Sequence, residues 1–330
     1  MEQEILLPPG FTVRHIRMED LEAVTDLMLA CELADYGQNE YGRASMRESI
    51  GALWGSEGMD LTRNAWVVLT PEGRCVGRTN LWFSPNEPEE MFASPRVHPA
   101  YWGLGIGSFL IRQAEQRARQ LMIDLPAGKP VSLNSWIEGV NEQASQLLIH
   151  QGFTALRYYW RMELEMAEQP SQPDWPADIT VRSMWRDQEE HKVFEAYNDA
   201  FQDHWGHNPE DFAEWSYWSF REKTFDPSLW LLALDGTEIA GFALCRLDGS
   251  EPARIGIVDD LGVRGAWRKR GLGLALLQHA FGTFYQRGIY KCALSVDSEN
   301  TSGATRLYER AGMYRSPRVD VRYTKVLQTE

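Results

Sequence analysis

Residues 263–277 read VRGAWRKRGLGLALL, and residues 97–111 read VHPAYWGLGIGSFLI. The two stretches align without a gap at an offset of 166. In the later one an apolar strand pattern runs into a basic, glycine-bearing turn and then into a long amphipathic helix. Working outward, Thr12-Val13-Arg14 answers Thr180-Val181-Arg182, and Trp66-Val67-Val68 answers Trp230-Leu231-Leu232. Gly77 then falls opposite Gly241, and LLIHQG at 147–152 answers LYERAG at 307–312. Anchors in the same order, with offsets that drift only through loop lengths, are the mark of an internal duplication. Between the copies lies MAEQPSQPDWPAD, whose three prolines and polar filling predict a linker at 166–178. The expected domains are therefore 1–165 and 179–330.

Each copy has the order strand, helices, apolar hairpin, strand, glycine-bearing turn, helix, strand, helix. In the second copy this predicts helices around 191–201 and 209–220 and strands near 179–182, 230–234, 240–246 and 254–263. A helix at 271–287, a strand at 291–296 and a helix at 302–310 follow. The pattern implies an α/β fold (α+β, mixed sheet) with mostly antiparallel strands.

Composition limits the function. With 43% apolar and 24% charged residues over 330, the chain has material for two cores. Lys plus Arg number 33 against 47 Asp plus Glu, a net charge of −14 that repels a nucleic-acid backbone and favours a cationic small molecule. The cysteines 31, 75, 245 and 292 are far apart, so no metal site is expected and a reducing compartment fits. The opening MEQEILLPPGF has no signal-peptide character, and no stretch approaches the ~18 apolar residues of a membrane span. The expected location is cytoplasmic, with no membrane partner.

The chemistry is concentrated at Arg268, Lys269, Arg270, Gly271, Leu272, Gly273, Leu274 and Ala275. Glycines allow a tight turn whose N–H groups converge, and the helix behind it adds the positive end of its dipole. Three cations in an otherwise acidic chain make a pyrophosphate a natural occupant. The third glycine of a dinucleotide loop and the Gly-Lys-Ser/Thr ending of a nucleotide loop are both missing.

RKRGLGLALL resembles the Q/R-x-x-G-x-G/A signature of the GCN5-related N-acetyltransferases, and ENTSGATRLYERAGM at 299–313 resembles that family's next motif. The tandem arrangement is similar to that of mycothiol synthase-like acetyltransferases. The resemblance implies two tandem acyl-CoA N-acyltransferase domains and direct transfer of an acetyl group from acetyl-CoA to a primary amine of a small molecule. It further implies that the strand edge Leu261, Gly262 and Val263 receives the pantetheine arm and that the turn from Arg268 to Ala275 receives the pyrophosphate. Asn300 and Ala304 would lie along the coenzyme, with Tyr308 as general acid. A phenol with a pKa near ~10 keeps its proton at neutral pH and can give it to a thiolate whose conjugate acid lies near ~8.5. Read alone, Tyr308 is a core aromatic.

Asp259 and Asp260 are the candidate bases; neighbouring strand residues point to opposite faces, so one of the two can face the cleft. Release of the proton to water is the alternative. In the first copy Trp102, Gly103 and Leu104 replace the cations, Ala93 and Ser94 replace the aspartates, and Leu148 replaces Tyr308. Val97, Gly103, Gly105, Gly107 and Ser108 remain as a possible second coenzyme A site in a catalytically degenerate domain. The aromatic stretch 201–220, with Trp205, Trp215, Tyr217 and Trp218, either lines an acceptor pocket through cation–π contact or fills the core. His204 and His207 lack a third ligand. Two further readings use the same residues: a non-catalytic acyl-CoA sensor or scaffold, and transfer of a longer acyl group. The two copies imply either a monomeric pseudo-dimer or a homodimer.

Overall fold

The computed structural model describes every residue except 1–5, 40–41, 57–58, 124, 126–129, 206–210, 221–224, 249–253, 301 and 328–330. The predicted helix start at Pro209, and His207, lie outside the described residues. Contacts divide the chain into two compact units, one of residues 1–159 with 318–330, the other of residues 160–317.

In the first unit the order is β1 (Thr12–His15), α1 (Leu21–Tyr36), α2 (Arg43–Trp54), α3 (Leu61–Asn64), β2 (Ala65–Leu69), β3 (Cys75–Phe83), β4 (Glu90–Ala93) and β5 (Arg96–Val97). Then come α4 (Ile106–Met122), β6 (Val131–Glu138), α5 (Glu142–His150) and the start of β7 (Thr154–Glu165). The strands β1 to β4 pair antiparallel in order, β5 adds to β3, and β4 pairs parallel with β6. Neighbouring strand residues serve opposite faces: Val67 packs under α1 and α2 with Leu27 and Trp54, whereas Val68 packs under α4 with Ile106 and Leu110. That is why the run AWVVL is apolar throughout rather than alternating.

The second unit repeats this order with β8 (Ile179–Ser183), α6 (Glu190–Phe201), α7 (Phe212–Ser219), β9 (Trp230–Asp235), β10 (Glu238–Asp248), β11 (Ile255–Val263), α8 (Leu272–Gln286), β12 (Lys291–Asp297), α9 (Ala304–Arg310) and β13 (Tyr314–Leu327). From β8 to β11 the pairing is antiparallel, and β11 pairs parallel with β12. Here too β9 divides its residues, Leu232 and Leu234 toward α6 and α7, Leu231 and Ala233 toward α8. The duplication and the mixed sheet expected from the sequence are both present. Trp215 is buried in the core beneath α7, while Trp205 and Tyr217 are exposed.

The unit boundaries differ from the expected 1–165 and 179–330. The later part of β13 pairs antiparallel with β6, from Asp320 opposite Glu138 to Leu327 opposite Val131, and buries Val321, Tyr323 and Leu327 in the first unit's core. The later part of β7 lies in the second unit, where Met162 joins the core and Glu163 meets Lys291 at 3.2 Å. Residues 166–178 carry neither helix nor strand, yet Trp175 packs on the second core and Asp178 holds Arg270. No helix of the described residues is long and apolar enough to cross a membrane. All four cysteines are buried and free, and no group of three His, Cys, Asp or Glu among the described residues is placed to hold a metal.

Candidate active site and a cavity in the first unit

β11 and β12 are paired where Gly256 faces Cys292 and Ile257 faces Ala293. Beyond that point both strands continue, β11 to Val263 and β12 to Asp297, and they part to leave a wedge. On its other side β11 stays joined to β10, with Leu261, Gly262 and Val263 opposite Ala243, Phe242 and Gly241. Gly262 allows a close approach here: a Cβ would stand 2.3 Å from the ring of Phe242, which is fully buried. Gly262→Ala is expected to lower stability by about 2–3 kcal/mol through forced repacking, read as a shift in the denaturant midpoint. A change under ~0.5 kcal/mol would mean that the ring moves aside freely.

The turn before α8 is built on two left-handed residues, Lys269 at φ 64° and Gly271 at φ 87°. Gly103 and Gly105, at the same places in the first unit, both have φ 78°. The shared backbone explains why a glycine can stand where a lysine does. Ala275 N–H is the first to bond back, to Gly271 O. The N–H groups of Leu272, Gly273 and Leu274 precede that bond, in the first turn where an α-helix supplies no partner of its own, with the dipole behind them. A Cβ on Gly273 would come within 3.2 Å of Leu307, so this glycine also lets α8 approach α9.

Arg268 and Arg270 do not simply project charge beside the turn. Arg268 donates from Nε to Val263 O at 3.2 Å, from Nη1 to Asp203 at 2.9 Å and from Nη2 to Ala200 O at 2.9 Å. Trp102, its counterpart in the first unit, donates from Nε1 to Val97 O at 2.8 Å, the carbonyl equivalent to that of Val263. The exchange of Trp for Arg therefore conserves a lock on the turn. Arg270 grips the carboxylate of Asp178 at 2.6 and 2.7 Å, and Lys269 is exposed.

Tyr308 lies on α9 and is 8% exposed, packed into the core that lines the wedge. Burial, and secondarily the charge of Asp260, push its phenol up to about 12. The two aspartates are separated by a bulge: Leu244 faces Asp260 and Cys245 faces Val258, so Asp259 is the extra residue. Asp259 is turned to Arg246 at 3.0 Å, and Arg246 also holds Asp248. Asn300 uses its side-chain oxygen on Ser302, accepting from N–H at 2.9 Å and from Oγ at 2.6 Å, and so shapes the turn before α9. Ala304 opens α9 and packs against the core.

In the first unit Val97, Gly103, Gly105, Gly107 and Ser108 all line one cavity of about 690 Å³. Leu148, in the place of Tyr308, is buried in its wall. The same cavity is lined by Asp35 of α1, Arg96 of β5, Glu138 of β6 and Asn141 before α5. None of these four stands out in the sequence, apart from Arg96 aligning with Gly262 at the offset of 166.

A parallel strand pair and a glycine turn capping the next helix, present in both units, define an acyltransferase of the tandem N-acetyltransferase type. The sequence profile of the acetyltransferase (GNAT) family matches residues 22–128 and 190–313, and the chain belongs to that family. It is 29% identical over 324 residues to the mycothiol acetyltransferase of Stackebrandtia nassauensis, an alignment covering 94% of this chain and 100% of that one. A GCN5-related N-acetyltransferase from Sphaerobacter thermophilus superposes with a TM-score of 0.80 at 31% identity, covering 98% of each chain. A tandem GNAT protein from the clavulanic acid biosynthesis pathway shares the fold, with a TM-score of 0.71 at 15% identity over 97% of this chain and 99% of that one.

Proposed function

We propose that the second unit transfers an acetyl group from acetyl-CoA directly to the primary amine of a small molecule. The observation that carries this reading is Tyr308, buried on α9 with its proton held up to about 12 and the charge of Asp260 acting on it, behind a parted strand pair. Acetyl-CoA, when bound, supplies an acyl group already activated as a thioester. The residues fit it: three convergent N–H groups at Leu272 to Leu274 receive phosphate, and the edge of β11 receives an amide-bearing arm. Tyr308 keeps its proton at working pH and gives it to sulfur, and Asp260 takes the proton of the amine. Asp259, committed to Arg246, is the poorer base. The relatives named mycothiol acetyltransferase support a small-molecule acceptor. Thiol release from acetyl-CoA against a panel of primary amines tests the proposal; tight coenzyme binding with no turnover of any amine would favour a sensor instead.

The first unit reads as a second coenzyme A site without transfer, supported by its cavity on Gly103, Gly105 and Gly107 and by Leu148, which has no proton to give. Calorimetry with coenzyme A is expected to give two equivalents per chain. One equivalent would confine coenzyme binding to a single unit.

A further inference from the structure

The end of α6 is unfavourable by its own sequence. Its last turn carries Asp199 and no basic residue, and Asp203 follows shortly after, both beside the negative pole of the helix dipole. The cations it lacks come from another segment. Arg264, between β11 and the glycine turn, donates from Nε to Asp199 at 2.5 Å, and Arg268 donates to Asp203 and to the Ala200 carbonyl, both at 2.9 Å. Gln202 donates to the other oxygen of Asp199 at 3.2 Å, and His204 N–H donates to Phe201 O at 2.8 Å.

Both arginines are anchored on the sheet side as well. Arg264 donates from its backbone N–H to Ala240 O at 3.0 Å and from Nη1 to Ile239 O at 3.2 Å, with Glu238 3.5 Å away, while Arg268 holds Val263 O. A guanidinium, with several donors in a fixed fork, can fasten two segments at once. Asp199 and Arg264 are 33% and 25% exposed, whereas Asp203 is 67% exposed, so the first pair carries more of the tie.

What α6 supports gives the tie its meaning. Tyr197 and Phe201 set their ring centroids 6.2 and 6.0 Å from Phe242, the ring that stands where a Cβ of Gly262 would be. α6 thus backs the edge of β11. The first unit keeps the glycine turn without this fastening. His98, at the place of Arg264, accepts from Ala100 N–H at 3.2 Å through Nδ1 and has Nε2 3.0 Å from Arg74. Trp102, at the place of Arg268, has a single N–H, and it goes to Val97 O. At the offset of 168 Asp199 falls on Cys31, a weak thiol donor 3.4 Å from Val97 O. The ion-paired tie accompanies the unit that has Tyr308.

We infer that Asp199 and Arg264, assisted by Arg268 and Asp203, are positioning residues that couple the order of α6 to occupancy of the coenzyme turn. Coenzyme held at the turn fixes the segment from Arg264 to Ala275, and the tie passes that rigidity to α6 and to Phe242 behind the β11 edge. The amine then meets a wall steadied by the acyl donor. This rests on the coenzyme site proposed above.

Amide hydrogen exchange of the full chain, read by mass spectrometry with and without coenzyme A, tests it. Exchange across 195–203 is expected to slow about tenfold or more on binding, together with that of 269–275. A merely structural tie would leave α6 equally protected with and without coenzyme. In Asp199→Ala/Asp203→Ala the slowing at 269–275 should persist and that at 195–203 should fall below about twofold, with the fold checked by circular dichroism. Slowing at the turn with none at α6 in the unaltered chain overturns the inference, and that arm needs no variant. Undiminished slowing at α6 in the doubly substituted chain overturns it too, since the coenzyme would then touch the helix directly. If neither segment responds, the coenzyme site of the second unit falls and the coupling with it; a response at the turn alone leaves that site standing.

Discussion

A chain ended at Pro317 is expected to lose the fold of its first unit while keeping that of its second. Residues 318–327 supply a strand that β6 cannot replace, with Asp320 to Leu327 paired opposite Glu138 to Val131. The lost strand carries Val321, Tyr323 and Leu327, all buried, and two charges that bind within the same unit, Arg322 to Glu90 at 2.7 Å and Lys325 to Glu115 at 2.8 Å. Burying three such side chains contributes roughly 5–8 kcal/mol, comparable with the whole stability of an ordinary domain at about 5–15 kcal/mol. Calorimetric melting should therefore show the first unit's transition abolished in the shortened chain. The bared edge of β6 should also promote association. Retention of a melting profile like that of the full chain would show that the strand is dispensable, and the assignment of 318–330 to the first unit would fall.

Replacing Tyr308 by Phe is expected to reduce the turnover number about 100-fold or more, the scale of a lost general acid. The ring stays, and with it the packing against α8 and the wedge, so stability should change by less than ~1 kcal/mol and coenzyme affinity by less than about twofold. The contrast between a large effect on turnover and a small one on binding separates catalysis from packing. An unchanged turnover number would make Tyr308 a core aromatic and sink the proposed site. Raised to about 12, the phenol does not itself ionise below about pH 11, so the high-pH limb of the rate profile should not come from Tyr308.

Much of this was legible in the sequence because it is local or repeated. The runs at Trp66 and Trp230 are apolar at successive positions since both faces of those strands are covered, and the glycines at 105 and 271 sit where the backbone turns left-handed. What was not legible depends on partners remote in sequence. An alternating strand such as 318–327 announces that one face is buried, but its own residues do not say which neighbour it joins. The cations at 268 and 270 read as ligand-binding charge, and their contacts with Asp203, Ala200 and Asp178 could not be read from the sequence. Comparison of the copies held a usable sign, since Trp102 and Arg268 are both donors and a lock on a carbonyl needs only that. Asp35, Arg96, Glu138 and Asn141 lie too far apart in the chain for any motif to join them.

The exchange of end strands also sets a schedule for biosynthesis. The first unit holds residues 1–159 and 318–330, so roughly 160 residues are made between its last early segment and its closing strand, about 10 to 30 s of elongation. Throughout that interval the nascent first half carries an open edge at β6, and the second unit can reach its native contacts first. Duplicated as it is, this protein does not mature half by half in the order in which it is read.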